Sequence, residues 1–107
     1  MELPSQVTVT NNEAAHRFEA KLGNATALIT YRRRGDRIVF LHTEVPADFE
    51  GKGVAGKLVR AALDFARANN LRVVPLCSFV ASYIRKHPEY QDLLPQSERE
   101  RLLAEPN

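Results

Sequence analysis

The 107-residue chain has the composition of an ordinary globular protein, with 44% hydrophobic and 26% charged residues. This composition excludes an intrinsically disordered chain, and the length predicts a single domain with one core. The formal net charge of +2 gives no strong field for nucleic acid or membranes, and the single cysteine excludes an internal disulfide framework and a cysteine-rich zinc site. No apolar segment has the length of a signal peptide or membrane span, so we expect a cytoplasmic monomer.

The first half of the chain predicts antiparallel strands. Val7 and Val9 alternate with threonines, as in a short strand. Longer alternating runs follow over residues 18–22, 25–32 and 38–45, and polar turns that contain glycine separate them. Consecutive strands joined by tight turns favour a meander.

The pattern becomes helical after Pro46. Apolar residues between 54 and 69 recur with a period close to 3.6, which predicts an amphipathic helix. A short strand follows over 72–77, and a strand, helix and strand in this order imply a right-handed crossover and a parallel pair. The predicted fold class is therefore α+β, with a mixed, mostly antiparallel sheet and flanking helices.

Two further helices are expected near the end of the chain. Ser78 is a good N-cap for a helix over residues 78–86. Ser97 and Glu100 have the spacing of a capping box, which predicts a short terminal helix over about 96–104.

Glycines crowd the junction between the fourth strand and the long helix, at Gly51, Gly53 and Gly56. Glycine lets backbone N–H groups turn toward a ligand, and a helix start adds the positive end of a dipole. The pattern favours a phosphate site over the alternative of a loop that only needs positive φ angles. The spacing from Gly51 to Lys57 nearly matches a nucleotide P-loop, but Leu58 stands where a serine or threonine must hold magnesium, so ATP and GTP are excluded.

The segment around Gly53-Val54-Ala55 resembles the Q/R-x-x-G-x-G/A signature of the GNAT N-acetyltransferases. The chain also resembles the small GNAT-like subfamily of YjdJ type. The segments that carry this resemblance, in matching order and spacing, are residues 42–46, 74–77 and 87–90. The resemblance covers roughly residues 7–94. It implies a minimal GNAT fold with a splayed parallel strand pair, acetyl-CoA as cofactor and N-acetyltransferase activity.

The resemblance assigns the glycine loop to the pyrophosphate of acetyl-CoA. The residues that it implies in cofactor binding are Val45, Gly51, Lys52, Gly53, Val54, Ala55, Gly56 and Lys57. The loop departs from the family at Glu50, where the family has Gln or Arg. A carboxylate there repels a diphosphate unless it points away or Lys52 or Lys57 compensates its charge.

Two prolines point to an opening in the sheet. Pro46 follows one predicted apolar strand and Pro75 interrupts the next, and neither can donate to a β-ladder. If these strands are neighbours, their pairing fails on that side and opens a wedge, which suits a long amide-bearing arm such as pantetheine. The alternative is the protection of sheet edges.

Acetyl transfer to an amine needs a base for the amine and a proton for the departing thiolate. Glu44, near the end of the strand beside the wedge, is a candidate general base; the alternative is a residue of a surface ion pair. His42 lies on the same face two residues earlier and is a second candidate, with a structural role as its alternative.

Tyr83 and Cys77 are the other catalytic candidates. Tyr83 resembles the GNAT tyrosine that is proposed to protonate the coenzyme thiolate; the alternative is a packed aromatic. Cys77 is expected at a helix N-terminus, where the dipole favours a reactive thiolate, and an acetyl-cysteine intermediate is one route. Direct transfer, with Cys77 buried beside the wedge, is the other.

Residues 32–34 are three consecutive arginines. They are typical of a solvated hairpin tip; contact with nucleic acid or with an acidic protein is the alternative. No aromatic platform accompanies them beyond Tyr31, so we favour the hairpin tip.

The predicted function is acetylation of an amine acceptor, either a protein lysine or a small amine, at an open acceptor site. Little sequence precedes the first strands to build a cover over that site. The main rival is an acyl-CoA-binding or sensing module with little turnover, and a weaker rival is a nucleic-acid-binding protein. No metal and no membrane partner are expected.

Overall fold

The computed structural model describes residues 7–49 and 53–104, apart from the side chain of Asp48. Five strands form one sheet in the order β1-β2-β3-β4-β5. The strands are β1 (Val9–Asn12), β2 (Arg17–Leu22), β3 (Ala25–Arg34), β4 (Arg37–Glu44) and β5 (Arg72–Pro75). Neighbouring strands from β1 to β4 pair antiparallel, and β4 and β5 are parallel. The predicted meander, crossover and mixed sheet are confirmed.

Three α-helices lie within the described ranges. They are α1 (Val54–Ala68), α2 (Ser78–Lys86) and α3 (Gln96–Ala104), with 3-10 turns at Glu13–Ala15, Ala47–Phe49 and Pro88–Leu93. The apolar periodicity predicted α1 to within one residue, and the predicted ranges of α2 and α3 are confirmed. None of the described helices is both long enough and apolar enough to cross a membrane.

Both predicted helix caps are wrong. Cys77, with extended backbone angles and no capping side chain, is the N-cap of α2, and Ser78 is already helical. The N–H of Cys77 bonds to the carbonyl of Phe40 in β4, and the N-cap lies one residue before the predicted Ser78. Ser97 lies inside α3, because Pro95 accepts the first helical hydrogen bond of that helix.

Strand ends also differ from the prediction. β1 begins at Val9 rather than Val7. β3 continues through Arg34, so the turn predicted over residues 33–36 shrinks to Gly35 and Asp36. β5 ends at Pro75, two residues early, since the chain there leaves the ladder.

One face of the sheet, here called the core face, is buried. Phe18, Ile29 and Phe40 lie on it and are at most 3% exposed. The apolar side of α1 packs against this face, and the buried side chains form one contiguous cluster. Burial of a side chain such as Phe40 stabilises the fold by about 1.5–3 kcal/mol, so this cluster fixes α1 on the sheet.

A bulge in β4 reverses the direction of its side chains. Tyr31 pairs with Phe40, but the preceding Thr30 pairs with His42, so Leu41 is an extra residue. Strict alternation from Phe40 would turn the side chain of His42 toward the core. The bulge instead places Thr43 on the core face.

The opposite face of the sheet is here called the outer face. His42 and Glu44 lie on it, beside their partners Thr30 and Leu28 in β3. Among the described strand residues of this face, all are half-buried or exposed except Glu19. The bulge therefore decides which chemistry each face of β4 presents.

Candidate functional site

β4 and β5 separate at the C-terminal end of their pairing, here called the open end. Phe40 and Pro75 are the last partners, although β4 continues to Glu44. Pro75 has no N–H, and beyond it the N–H of Leu76 donates to the carbonyl of Val74 at 3.2 Å. The backbone of β4 after Phe40 has no ladder partner in β5, as the predicted wedge requires.

The two prolines do not contribute equally to this opening. Pro75 lies at the last paired position of β5. Pro46 lies beyond the end of β4, where its carbonyl accepts a hydrogen bond from Phe49 at 2.9 Å and begins a 3-10 turn. The separation of the strands therefore coincides with the position of Pro75 and not with that of Pro46.

α1 begins at the open end without a capping side chain. Gly53 is its N-cap, with φ 73° and ψ 8°, a left-handed conformation that favours glycine. The N–H of Lys57 donates the first helical bond to the Gly53 carbonyl, and no acidic residue lies in the first turn. The preceding N–H groups of the helix therefore have no intrahelical acceptor, which is the arrangement that binds anions.

Some residues of the predicted cofactor loop lie outside the described residues, namely Glu50, Gly51 and Lys52. The described ones differ in what they present. Val54 is 1% exposed, so only its backbone is available to a ligand. The Lys57 ammonium donates to the carbonyl of Val7, which ties the first turn of α1 to the segment before β1.

The remaining positions of the predicted loop, Val45, Ala55 and Gly56, are half-buried. Val45 packs against the hydrophobic core just after β4. The side chains at these positions are small or apolar, so only their backbone groups can make polar contacts with a ligand.

Thr43 and Cys77 meet across the open end. Thr43 Oγ1 lies 3.0 Å from Cys77 Sγ, and Cys77 is 7% exposed. This contact joins β4 to the start of α2 where the strands no longer pair. The sequence assigned no role to Thr43, because the alternation of apolar and polar residues does not show the bulge that turns this side chain inward. The only sign of the bulge in the sequence is the pair of consecutive apolar residues, Phe40 and Leu41.

His42 and Glu44 lie on the outer face, as a pair. His42 Nε2 is 3.1 Å from Glu44 Oε2, and both side chains are 61% exposed. The prediction that they share a face is confirmed. Since Thr43 and Cys77 lie on the core face, β4 separates the candidate catalytic residues into two groups.

Tyr83 packs against the first turns of α1. Its ring edge would be 3.9 Å from a Cβ at Gly56, and its hydroxyl accepts a hydrogen bond from Arg60 Nε at 3.4 Å. The His87 ring stacks on it at 3.8 Å between centroids, and His87 Nδ1 donates to the Tyr83 carbonyl at 2.8 Å. Sequence reasoning gave Arg60 and His87 no role; the i, i+4 spacing of Tyr83 and His87 on one helix face was the available signal.

Apolar side chains are exposed around the open end. Leu41, Leu76 and Phe79 are 40%, 61% and 41% exposed, and they are three of the four large apolar side chains exposed among the described residues. Leu41 and Leu76 each follow a member of the last β4–β5 pair. The opening therefore combines unpaired backbone, apolar surface and a helix start.

The other end of α1 is closed by hydrogen bonds. Arg67 holds both carboxylate oxygens of Asp92 at 2.9 Å, and the Tyr90 hydroxyl donates to Asp64 at 2.9 Å. Burial and this bond raise the pKa of Tyr90 to about 12.

A polar cavity of about 280 Å³ lies nearby, lined by Arg67, Asn70, Leu71, Arg72, Asp92 and Leu93. No metal-binding group of three or more His, Cys, Asp or Glu residues occurs in the described part of the chain.

The model of the GCN5-related N-acetyltransferase family matches residues 17–93. The chain belongs to this family. As a GNAT protein, it is similar to Protein NATD1 of Mus musculus, with 32% identity over 91 residues that cover 82% of this chain and 83% of that protein. Protein NATD1 of Danio rerio is 26% identical over 95 residues, which cover 84% of this chain and 86% of the relative.

A solved GNAT structure has a similar fold. It is the NMR solution structure of a GCN5-like protein from Staphylococcus aureus, with a TM-score of 0.67 and 34% sequence identity. The similarity covers 85% of this chain and 90% of the other. The resemblance to GNAT proteins and the predicted GNAT fold are confirmed.

Proposed function

We propose that this chain is an acetyl-CoA-dependent N-acetyltransferase that moves an acetyl group to an amine, either a protein lysine or a small amine. The observation that carries the proposal is the uncapped start of α1 at Gly53, which follows β4 in the chain at the end of the sheet where β4 and β5 separate. Membership of the GNAT family supports it. The narrower resemblance to the YjdJ type stays a prediction.

The backbone of the α1 start fits the pyrophosphate of acetyl-CoA. The N–H groups of Val54, Ala55 and Gly56 donate to phosphate oxygens, with the helix dipole in support. Gly51 and Lys52 extend the same loop in the proposal. The unpaired backbone of β4 beyond Phe40 offers hydrogen bonds to the amide groups of the pantetheine arm. When bound, acetyl-CoA supplies the acetyl group as an activated thioester.

The outer-face pair is proposed to deprotonate the acceptor amine. Glu44 accepts the proton, and His42, 3.1 Å away, orients the carboxylate or accepts the proton in its place. Both side chains are exposed, so an amine on a large partner can reach them.

Tyr83 is proposed to return a proton to the thiolate that leaves. Its hydroxyl oxygen accepts from Arg60, so its own O–H proton is available for donation. The positive charge of Arg60 stabilises the phenolate that follows. The stack with His87 limits the ring to one orientation.

Cys77 is proposed to line the opening while the amine attacks the thioester directly. Its burial and its contact with Thr43 support a packing role. In the alternative route the Cys77 thiolate attacks the thioester carbonyl, the coenzyme thiolate leaves, and the amine then displaces the cysteine sulfur.

An acetyl-acceptor screen by mass spectrometry tests the function. The protein is incubated with acetyl-CoA and a panel of amines and lysine peptides, and both free coenzyme A and acetylated acceptors are measured. We expect acceptor-dependent release of coenzyme A and one added acetyl group on at least one amine. Binding of acetyl-CoA without transfer to any member of the panel would instead identify an acyl-CoA sensing module.

A further inference from the structure

An unpaired cluster of arginines lies at the turn between β3 and β4. Arg32, Arg33, Arg34 and Arg37, here called the arginine tip, are all exposed. None of them forms an ion pair with another residue in the part of the chain that the structure describes. Arg34 and Arg37 are direct cross-strand partners, an arrangement of like charges that destabilises a hairpin. The hairpin itself therefore gives no reason for this concentration of charge.

The strand register places three of these arginines on the face that carries Glu44. Arg34 and Arg32 lie on the outer face of β3, which continues through Thr30 to Leu28, the partner of Glu44. Arg37 is opposite Arg34 on the same face. Six residue steps separate Arg34 from Leu28, or about 20 Å along the strand.

Along β3 and β4, the charges on this face change sign from one end to the other, whereas β2 carries Lys21 beyond the row of Glu44. Guanidinium groups lie at the turn, and the carboxylate of Glu44 lies beside the open end. Between them, Thr30, Leu28 and Val39 form a half-buried, uncharged floor. Glu19 also lies on this face, but Arg17 neutralises it at 2.5 Å, so its charge does not interrupt the floor.

We propose that the outer face binds an acceptor peptide whose reactive lysine is followed or preceded, at about six residues in extended conformation, by a cluster of aspartates or glutamates. This inference rests on the proposed function, because the lysine amine is taken to lie at Glu44. The acidic cluster binds the arginine tip, where planar guanidinium groups hold carboxylates through paired hydrogen bonds.

The two ends of the outer face favour a peptide over nucleic acid. A polyphosphate chain along β3 and β4 would bring negative charge against Glu44, whereas a lysine followed by acidic residues matches both ends. The outer face of these strands also has no tryptophan, tyrosine or phenylalanine on which bases could stack.

Binding is tested first, without any need for turnover. Fluorescence anisotropy measures the affinity of a labelled peptide with one lysine and a glutamate cluster six residues away. Arg34→Gln with Arg37→Gln is the test variant, and Lys86→Gln with Arg101→Gln is the matched control, with the same change of charge on α2 and α3. We expect about tenfold weaker binding for the test variant and none of this loss for the control.

Two results overturn the proposal. One is equal peptide affinity in the wild type, the test variant and the control. The other is tighter binding of a single-stranded oligonucleotide of the same charge than of the peptide. A melting temperature at or above that of the wild type shows that the test variant is folded, since it removes a repulsive pair.

Transfer is tested second, with matched acceptors. We expect kcat/KM about tenfold higher for the peptide with the distant glutamates than for one with glutamines there, and loss of this difference in the test variant. Turnover of a small amine stays unchanged in that variant. Absence of transfer to every acceptor contradicts the proposed function, whereas the binding comparison alone decides whether the arginine tip recognises acidic peptides.

Discussion

The two ends of α1 are built in opposite ways. At its start, Gly53 provides no capping side chain, and at this end of the sheet β4 and β5 no longer pair. Near its end, the Arg67 side chain bonds to the carboxylate of Asp92 and to the carbonyl of Glu89, and Asn69 donates to the Phe65 carbonyl at 2.8 Å. One end leaves backbone donors without intrahelical acceptors. At the other end, the carbonyls of α1 accept bonds from the backbone N–H groups of residues 69–71 and from the Asn69 side chain.

Because of this difference, we expect the end of α1 to contribute to the stability of the fold and its start to contribute to ligand binding. Hydrogen bonds that close the end of α1 hold the helix to the segment after α2 and contribute to folding. Donors left unsatisfied at its start contribute little to folding but are available to a ligand. A substitution at the start of α1 is therefore expected to reduce ligand binding more than stability. A substitution at the end of α1 is expected to reduce stability more than ligand binding.

The largest expected effect is the loss of acetyl-CoA binding in Gly53→Glu. The substitution adds a side chain and a negative charge where the pyrophosphate is proposed to lie. The wild type should melt at a higher temperature with acetyl-CoA, because the ligand binds only the folded protein, and the variant should show no such shift.

Gly23→Glu is the matched control for this experiment. Gly23 also has a positive φ, 60°, in the turn between β2 and β3, and a Cβ there meets nothing within 4 Å. The two variants share the backbone strain and the change of charge, so only their positions differ. A normal ligand shift in a folded Gly53→Glu protein would refute the loop assignment.

Removal of the Tyr83 hydroxyl should cause the next largest effect. If Tyr83 donates the proton, Tyr83→Phe lowers kcat on the order of 10²-fold and leaves the affinity for acetyl-CoA near that of the wild type. Steady-state kinetics with a separate binding titration distinguish the two quantities. An unchanged kcat would leave Tyr83 with a packing role only.

At the closed end, Asp92→Asn should reduce stability without a change in ligand binding. The hydrogen bond from Arg67 lowers the pKa of Asp92 below its ordinary value of 3.8. A lowered pKa in the folded state stabilises the fold above that ordinary value, and the contribution disappears as the pH falls through the folded-state pKa. Because both side chains are largely exposed, the loss at neutral pH should be about 1 kcal/mol or less.

Denaturant unfolding at several pH values tests this prediction. The free-energy difference between wild type and Asp92→Asn should shrink as the pH falls below about 4. A difference that is constant with pH would show that the ion pair does not contribute, and a change in the acetyl-CoA shift would contradict the separation of the two ends.

The smallest effect on activity is expected for Cys77→Ala. Under direct transfer the variant keeps most of its turnover and loses only packing. A folded variant that binds acetyl-CoA but is inactive would make Cys77 the nucleophile. In that case, wild-type protein incubated with acetyl-CoA alone should carry one acetyl group on the Cys77 peptide, and hydroxylamine should remove it.

Elements with strong local patterns were predictable from the sequence. The period of apolar residues predicted α1, and the order of strand, helix and strand predicted the parallel pair of β4 and β5. Both depend on which side chains are apolar and how they are spaced, which is visible in the chain itself. The loop glycines likewise point to an anion site, which stays a prediction.

Features that depend on contacts between distant residues were not predictable. The bulge at Leu41 arises from the register between β3 and β4, and it moves Thr43 to the core face. The start of α2 at Cys77 depends on a bond to Phe40, which lies in another strand. The sequence therefore predicted the candidate residues and the shared face of His42 and Glu44, but not that the bulge puts this face opposite Thr43 and the core.

An NMR titration with acetyl-CoA tests the contrast between the two ends most directly. Amide chemical shifts are followed for residues 53–56 and 41–44 at the open end, and for residues 69–72 and 92 at the closed end. We predict saturable shifts at the open end and little change at the closed end. Shifts concentrated around the polar cavity at the closed end, or no saturable shifts at all, would contradict the proposed site.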